Sequence, residues 1–302
     1  MTSVVVAAVA AVLVGMQPIG AVAPDATLVL AADASAPLDS MLDRLAEADA
    51  VFVGEEHDHA LGHALELRIL AGLAARCPRL ALSLEMFERD VQLVLDEYLA
   101  GAISESAFLA AARPWPNYKA DYRPLVEFCR ERRLPVIAAN TPRRYVSAVG
   151  KGGQQALAAL PRGSRAFLPP LPYRMDLPSG YEAALDGIFA QSHGSPGGAG
   201  GPSAGNMKQA QALWDCGMAD SIRRFQRVHR GTAVVQINGA MHSDHGWGAV
   251  DRLRRIAPRL RIAVVSIKRD PAYPAVDAAA YRGVADFVVL TPPDASPTHP
   301  AR

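Results

Sequence analysis

Residues 50–67 read AVFVGEEHDHALGHALEL, and a strand, a sharp turn and a helix succeed one another in them. Ala50–Val53 is a short apolar run of the kind that fills a buried strand. Gly54 breaks it, and from His59 to Arg76 apolar residues return at spacings of three and four, the period of a helix. The same order recurs along the chain. Strands are expected at Ala50–Val53, Leu80–Leu84, Pro135–Ala139, Ala233–Ile237, Arg261–Ile267 and Asp286–Leu290. Helices are expected at Leu38–Glu47, His59–Arg76, Arg89–Ala100, Tyr122–Arg133, Pro142–Leu160 and Met207–His229. Runs such as AVVQI (233–237) and IAVVSI (262–267) are apolar almost throughout, which suits a sheet covered on both faces. The expected fold is α/β: a mainly parallel sheet flanked by helices.

The third and fourth strands are about ninety residues apart, several times what one crossover helix requires. A smaller helical insertion is therefore expected over about 142–230, with a Gly-rich loop, SHGSPGGAGGPSAGN, at 192–206. At the other end of the chain, Val4–Met16 is an unbroken apolar run followed by Ala21-Val22-Ala23. It is short for a membrane span and of the length of a signal-peptide core, so residues 1–23 read as a signal peptide, with the α/β domain over 24–302. No Lys or Arg precedes the run, and Pro24 sits where the cleaved chain would begin.

Across the 302 residues, 31 Lys and Arg face 30 Asp and Glu, which leaves no bulk field to attract nucleic acid. Cys77, Cys129 and Cys216 are an odd number, far apart and without CxxC spacing, so disulfides do not frame the fold and zinc ribbons are excluded. There is no strand-linked GxSxG elbow, no P-loop and no strand-linked GxGxxG, since the glycines near Gly198 lie in the loop rather than between a strand and a helix.

The residues just past each strand carry the chemistry. The first strand runs into Gly54-Glu55-Glu56-His57, the second into Glu85, the third into Asn140-Thr141-Pro142-Arg143, and the fourth into Gly239-Ala240-Met241-His242. In a parallel sheet these ends share one edge, where open α/β folds place their ligands. Glu55, His57, Glu85, Arg143 and His242 are therefore expected to meet. Each has a bland alternative, such as an ion pair between Glu85 and Arg143. The Gly-x-x-His spacing occurs twice, and His57 and His242 with a carboxylate would suffice for a divalent metal and an activated water. His59 and His63, four apart on a helix, are a weaker metal pair, with helix packing as the alternative. Tyr118 and Tyr122 offer phenols at helical spacing beside Trp115. Phenolate is a haem-iron ligand, and core packing is the other use of such a segment.

GEEHDHALGHALEL (54–67), LEMFERDVQLVLDEYLAG (84–101), YRPLVEFCRERRLPVIAANTPRRYV (122–146), AQALWDCGMA (210–219) and GAMHSDHGWG (239–248) resemble the ChaN-like haem-binding family of the Tiki group. The resemblance implies a haem-binding protein in iron uptake, exported to the periplasm or envelope, with haem as cofactor and a homodimer as a further partner. Gly54, Glu55, His57, His63, Glu85, Tyr122, Arg143, Trp214 and His242 fall on its motif positions. Tyr122, ahead of Tyr118, is then the expected axial ligand, and Arg143 the partner of a haem propionate. The lipid-attachment cysteine of many members is absent. The rival expectation is a metal-dependent hydrolase with His57 and His242 as ligands, Glu85 as ligand or orienter and Glu55 as general base.

Overall fold

The computed structural model describes residues 27–31, 34–193 and 203–293. The expected signal peptide and residues 194–202 of the Gly-rich loop lie outside the described residues.

Eight strands form one sheet: β1 (Leu28–Ala31), β2 (Ala34–Ser35), β3 (Ala50–Glu55), β4 (Leu80–Glu88), β5 (Val136–Asn140), β6 (Ala233–Gly239), β7 (Ile262–Arg269) and β8 (Phe287–Thr291), in the order β2-β1-β8-β7-β3-β6-β4-β5. From β8 to β5 every pairing is parallel, while β1 runs antiparallel to β8 and β2. All six expected strands are present; the antiparallel edge pair is an addition. The helices are α1 (Leu38–Leu45), α2 (Ala60–Arg76), α3 (Gln92–Leu99), α4 (Glu105–Ala112), α5 (Tyr118–Asp121), α6 (Arg123–Arg132), α7 (Arg143–Gly152), α8 (Ser179–His193), α9 (Ala204–Val228) and α10 (Gly248–Ile256). Among the described residues none is long and apolar enough to cross a membrane.

Strand β3 shows why the sequence folds this way. Its side chains alternate, so Val51 and Val53 enter one core with Leu65 and Ile69 of α2, while Ala50 and Phe52 enter another with Met218 and Ile222 of α9 and Leu253 of α10. A strand apolar on both sides can only sit mid-sheet. A third core joins Tyr145 and Val149 of α7 to Leu168, Tyr173 and Leu213 of α9. It fills the stretch between β5 and β6, where α7, α8 and α9 lie. The ends of the Gly-rich stretch belong to helices: α8 runs to His193, and Ser203 caps α9 by accepting from the Asn206 N–H. From β3 the chain steps to β4 on one side and, later, to β7 on the other, with β6 filling the place between β3 and β4. The C-terminal ends of β3 and β6 thus flank the point where strand order reverses, the usual crevice of such sheets.

Candidate functional site

Glycine fixes both turns. A Cβ on Gly54 would lie 2.7 Å from Ser243 Oγ and 2.9 Å from Ala240 Cα, so the chain after β3 passes against the turn after β6 only because that side chain is missing. A Cβ on Gly239 would lie 2.8 Å from His57 Nε2 and 3.8 Å from Glu85 Oε2. The two Gly-x-x-His segments therefore touch, and Glu85 of β4 joins them by accepting the Gly239 N–H at 2.9 Å.

Two carboxylate–imidazole pairs face Glu85. His57 Nδ1 lies 2.6 Å from Glu55 Oε1, which also accepts the Tyr122 hydroxyl at 2.7 Å. His242 Nδ1 lies 2.6 Å from Asp215 Oδ1 on α9, and its Nε2 lies 3.5 Å from Glu85 Oε1. Asp215 also accepts the Tyr181 hydroxyl at 3.0 Å, and the Gln211 amide rests against the His242 ring. The pairs differ in access: the His57 side chain is 46% exposed, whereas His242 is buried. Trp115 meets His57 edge-on with ring centres 5.0 Å apart.

Beneath His57 lies a closed polar nest. His63 Nδ1 is 3.1 Å from Glu55 and 3.3 Å from Glu66, and its Nε2 is 3.6 Å from Asp121. Glu55, His63 and Glu66 present ligand atoms within 4.8 Å of one another, a set able to hold a cation. Burial opposes the His63 imidazolium, but Glu66 and Glu55 outweigh it and push its pKa up to about 11. Burial likewise opposes the Glu55 carboxylate; hydrogen bonds from His57 and His63 win and hold it far below the usual carboxylate range. Burial and the Glu55 charge push Glu66 well above that range. His242 is raised to about 9, because Glu85 and Asp215 overcome its burial.

These shifts set opposite limbs of stability. His242 rises from 6.5 to about 9 on folding, so its contribution is complete below about pH 6.5 and is lost as pH climbs through about 9, with His63 extending the loss toward about 11. Glu55 is lowered, so its contribution is present above about pH 4.5 and disappears in stronger acid. The melting temperature is expected to fall between pH 7 and 10, and His242→Gln to flatten that fall in thermal melts; an unchanged alkaline limb would refute the assignment.

Sequence reading and structure part over the phenols. Tyr122 is fully buried with its hydroxyl given to Glu55, and burial together with the Glu55 charge raises its pKa far beyond the phenol range. Tyr118 is buried among Phe87 and Phe108, and its hydroxyl has no hydrogen-bond partner among the described residues. Both are core residues in this arrangement, not ligands turned outward. Arg143 does not pair with Glu85: it opens α7, exposed, its backbone N–H on Glu88 at 3.0 Å and its guanidinium 6.0 Å from the Trp214 ring. His59 does not join His63; it bonds Thr291 at 3.0 Å, and burial lowers its pKa to about 4. Sequence reading missed Asp215, Gln211 and Tyr181. The available signal was an acid within the apolar helical run ALWDCGMA.

Known proteins are similar to this chain. The profile of a family described as haem-binding uptake, Tiki superfamily, ChaN matches residues 41–253. A solved structure of cofacial haem binding to ChaN of Campylobacter jejuni superimposes with a TM-score of 0.64 at 18% identity, covering 88% of this chain and 97% of that one. The protein RETICULATA-RELATED 5, chloroplastic, of Arabidopsis thaliana is 26% identical over 265 residues, 82% of this chain. The chain spans 34% of that relative's length.

Proposed function

The chain belongs to the ChaN family of haem-binding uptake proteins in the Tiki superfamily, and we propose accordingly that it binds haem at the C-terminal edge of its sheet, over His57. One observation carries this reading: His57 is the exposed imidazole of the cluster, with Nδ1 held by Glu55 at 2.6 Å and Nε2 left for a metal. A carboxylate on the second ring nitrogen fixes the tautomer of a metal-binding histidine and raises its basicity. The missing side chain of Gly239 keeps the space beside Nε2 open. The residues present thus fit haem, which when bound would supply an iron for an imidazole and two propionates for a cation. His57 would hold the iron in place of Tyr122, to which the resemblance assigns that role, Trp115 would wall one side, and Arg143, exposed at the same sheet edge, would be the cation for a propionate. Glu85 and His242 form the polar floor.

The reading extends to haem or iron uptake at the bacterial envelope, supported by the apolar run Val4–Met16 and the small residues Ala21-Val22-Ala23. Haem titration of protein recovered from envelope fractions is the test, with its N-terminus expected near Pro24. A shifted Soret band is expected; His57→Ala should alter it and weaken binding about 10- to 100-fold, and Tyr122→Phe should leave it unchanged. A spectrum that follows Tyr122 instead would overturn the assignment, and intact Met1 from the cytoplasm would remove export.

A second reading, a metal-dependent hydrolase, is favoured by the two carboxylate–imidazole pairs that face one glutamate. There His57 and His242 would hold a divalent ion and Glu85 would orient it; Glu55, the base expected from the sequence, is enclosed and already accepts from His57 and Tyr122, so it is not placed for that role. Stoichiometric metal in the purified protein, lost in His57→Ala and His242→Ala, together with haem binding no stronger than to an unrelated protein, would select it.

A further inference from the structure

Cys216, Asp220, Arg223 and Arg227 form one stripe of α9, adjacent to the stripe that carries Gln211 and Asp215. They face α10, and the two helices, with the segment 169–174 across them, enclose a cavity of about 380 Å³. That is the size of a small-ligand pocket. Five arginines line it, and the carboxylates nearby are already committed. Asp220 is taken by Arg89 at 2.9 Å and Arg224 at 2.8 Å, and Asp251 by Arg255 at 2.7 Å. Asp176 is shared by Arg174, Arg252 and Arg255. Arg223 and Arg227 have no ion pair or hydrogen bond among the described residues. Arg252, 3% exposed, is turned to Asp176. Apolar surface makes up the rest of the wall, from Pro170, Tyr173 and the exposed Ile256.

We propose that this cavity binds a small amphipathic anion, its carboxylate or phosphate head at Arg223 and Arg227 and its apolar body along Pro170, Tyr173 and Ile256. Guanidinium groups suit either head because their N–H pairs match planar carboxylate and phosphate oxygens. The cavity shares none of its lining residues with the cluster around His57, so the inference does not rest on the haem reading.

Calorimetric titration of the full chain with decanoate and decyl phosphate, with decanol and inorganic phosphate as controls, tests it. At least one decyl anion should bind saturably, at least about tenfold tighter than either control; which anion binds better distinguishes the two heads. R223A/R227A should weaken that binding at least about tenfold, R223K/R227K should restore part of it, and the haem titration should not change in either. Decanol binding as well as the anions, phosphate binding as well as the decyl compounds, undiminished binding in R223A/R227A, or no saturable binding would each overturn the proposal.

Discussion

Glu55→Ala is expected to destabilise the folded chain by about 3–5 kcal/mol, the range seen when one partner of a buried charged network is removed. Glu55 is fully enclosed and serves His57, His63 and Tyr122 together. Its loss removes the carboxylate acceptor of the Tyr122 hydroxyl and leaves the His63 imidazolium to Glu66 and Asp121. Glu55→Gln keeps the volume and one acceptor oxygen and should cost less, about 1–3 kcal/mol. Urea unfolding at pH 6.5, where the Glu55 carboxylate and the His63 imidazolium are charged, measures both. A cost below about 1 kcal/mol for Glu55→Ala would show that the nest does not anchor the fold.

Gly239→Ala should separate function from folding. The backbone there has φ −54°, ordinary for alanine, so no conformational strain enters. The added methyl would instead arrive 2.8 Å from His57 Nε2, on a side chain free to swing toward solvent. Haem affinity should fall at least about tenfold, as when a metal ligand loses its set orientation, while stability changes by about 1 kcal/mol or less. Gly54→Ala is the contrasting case, because its methyl would meet the backbone of Ala240 at 2.9 Å, and rigid overpacking costs about 1–3 kcal/mol. Haem titration beside thermal melts distinguishes the two. Undiminished haem binding in Gly239→Ala would move the ligand away from His57.

The parallel sheet was legible because β3, β4, β6 and β7 are apolar on both faces, a pattern nothing but a covered sheet explains. Two-residue β2 and the four-residue β1 carry too little sequence to display any period. Helix α10, GAVDRLRRI, was not among the expected helices although Ala249, Val250 and Leu253 form an apolar stripe along it; at nine residues it is short and follows directly on the turns past β6. In the site, residues at strand ends were legible because topology alone places them: Glu55, His57, Glu85 and His242 are neighbours as their strand order dictates. Side-chain direction was not. Tyr122 and Asp215 both lie on helical segments, and which way each points depends on packing between distant segments. The phenol expected as a ligand is enclosed, and an acid that no reading singled out holds His242.

Helix α9 belongs to two cores at once. Its first half, through Ala212 and Leu213, packs with Tyr145 and Val149, and its second half, through Met218 and Ile222, packs under Phe52 of the central strand. Gln211 and Asp215 sit at the join, with Asp215 clamped on His242. The helix therefore acts as a beam with a fulcrum beside the imidazole: one arm is fixed to the sheet, the other carries the inserted helices. The carboxylate that clamps His242 is therefore located jointly by the packing of the insertion and the packing of the sheet.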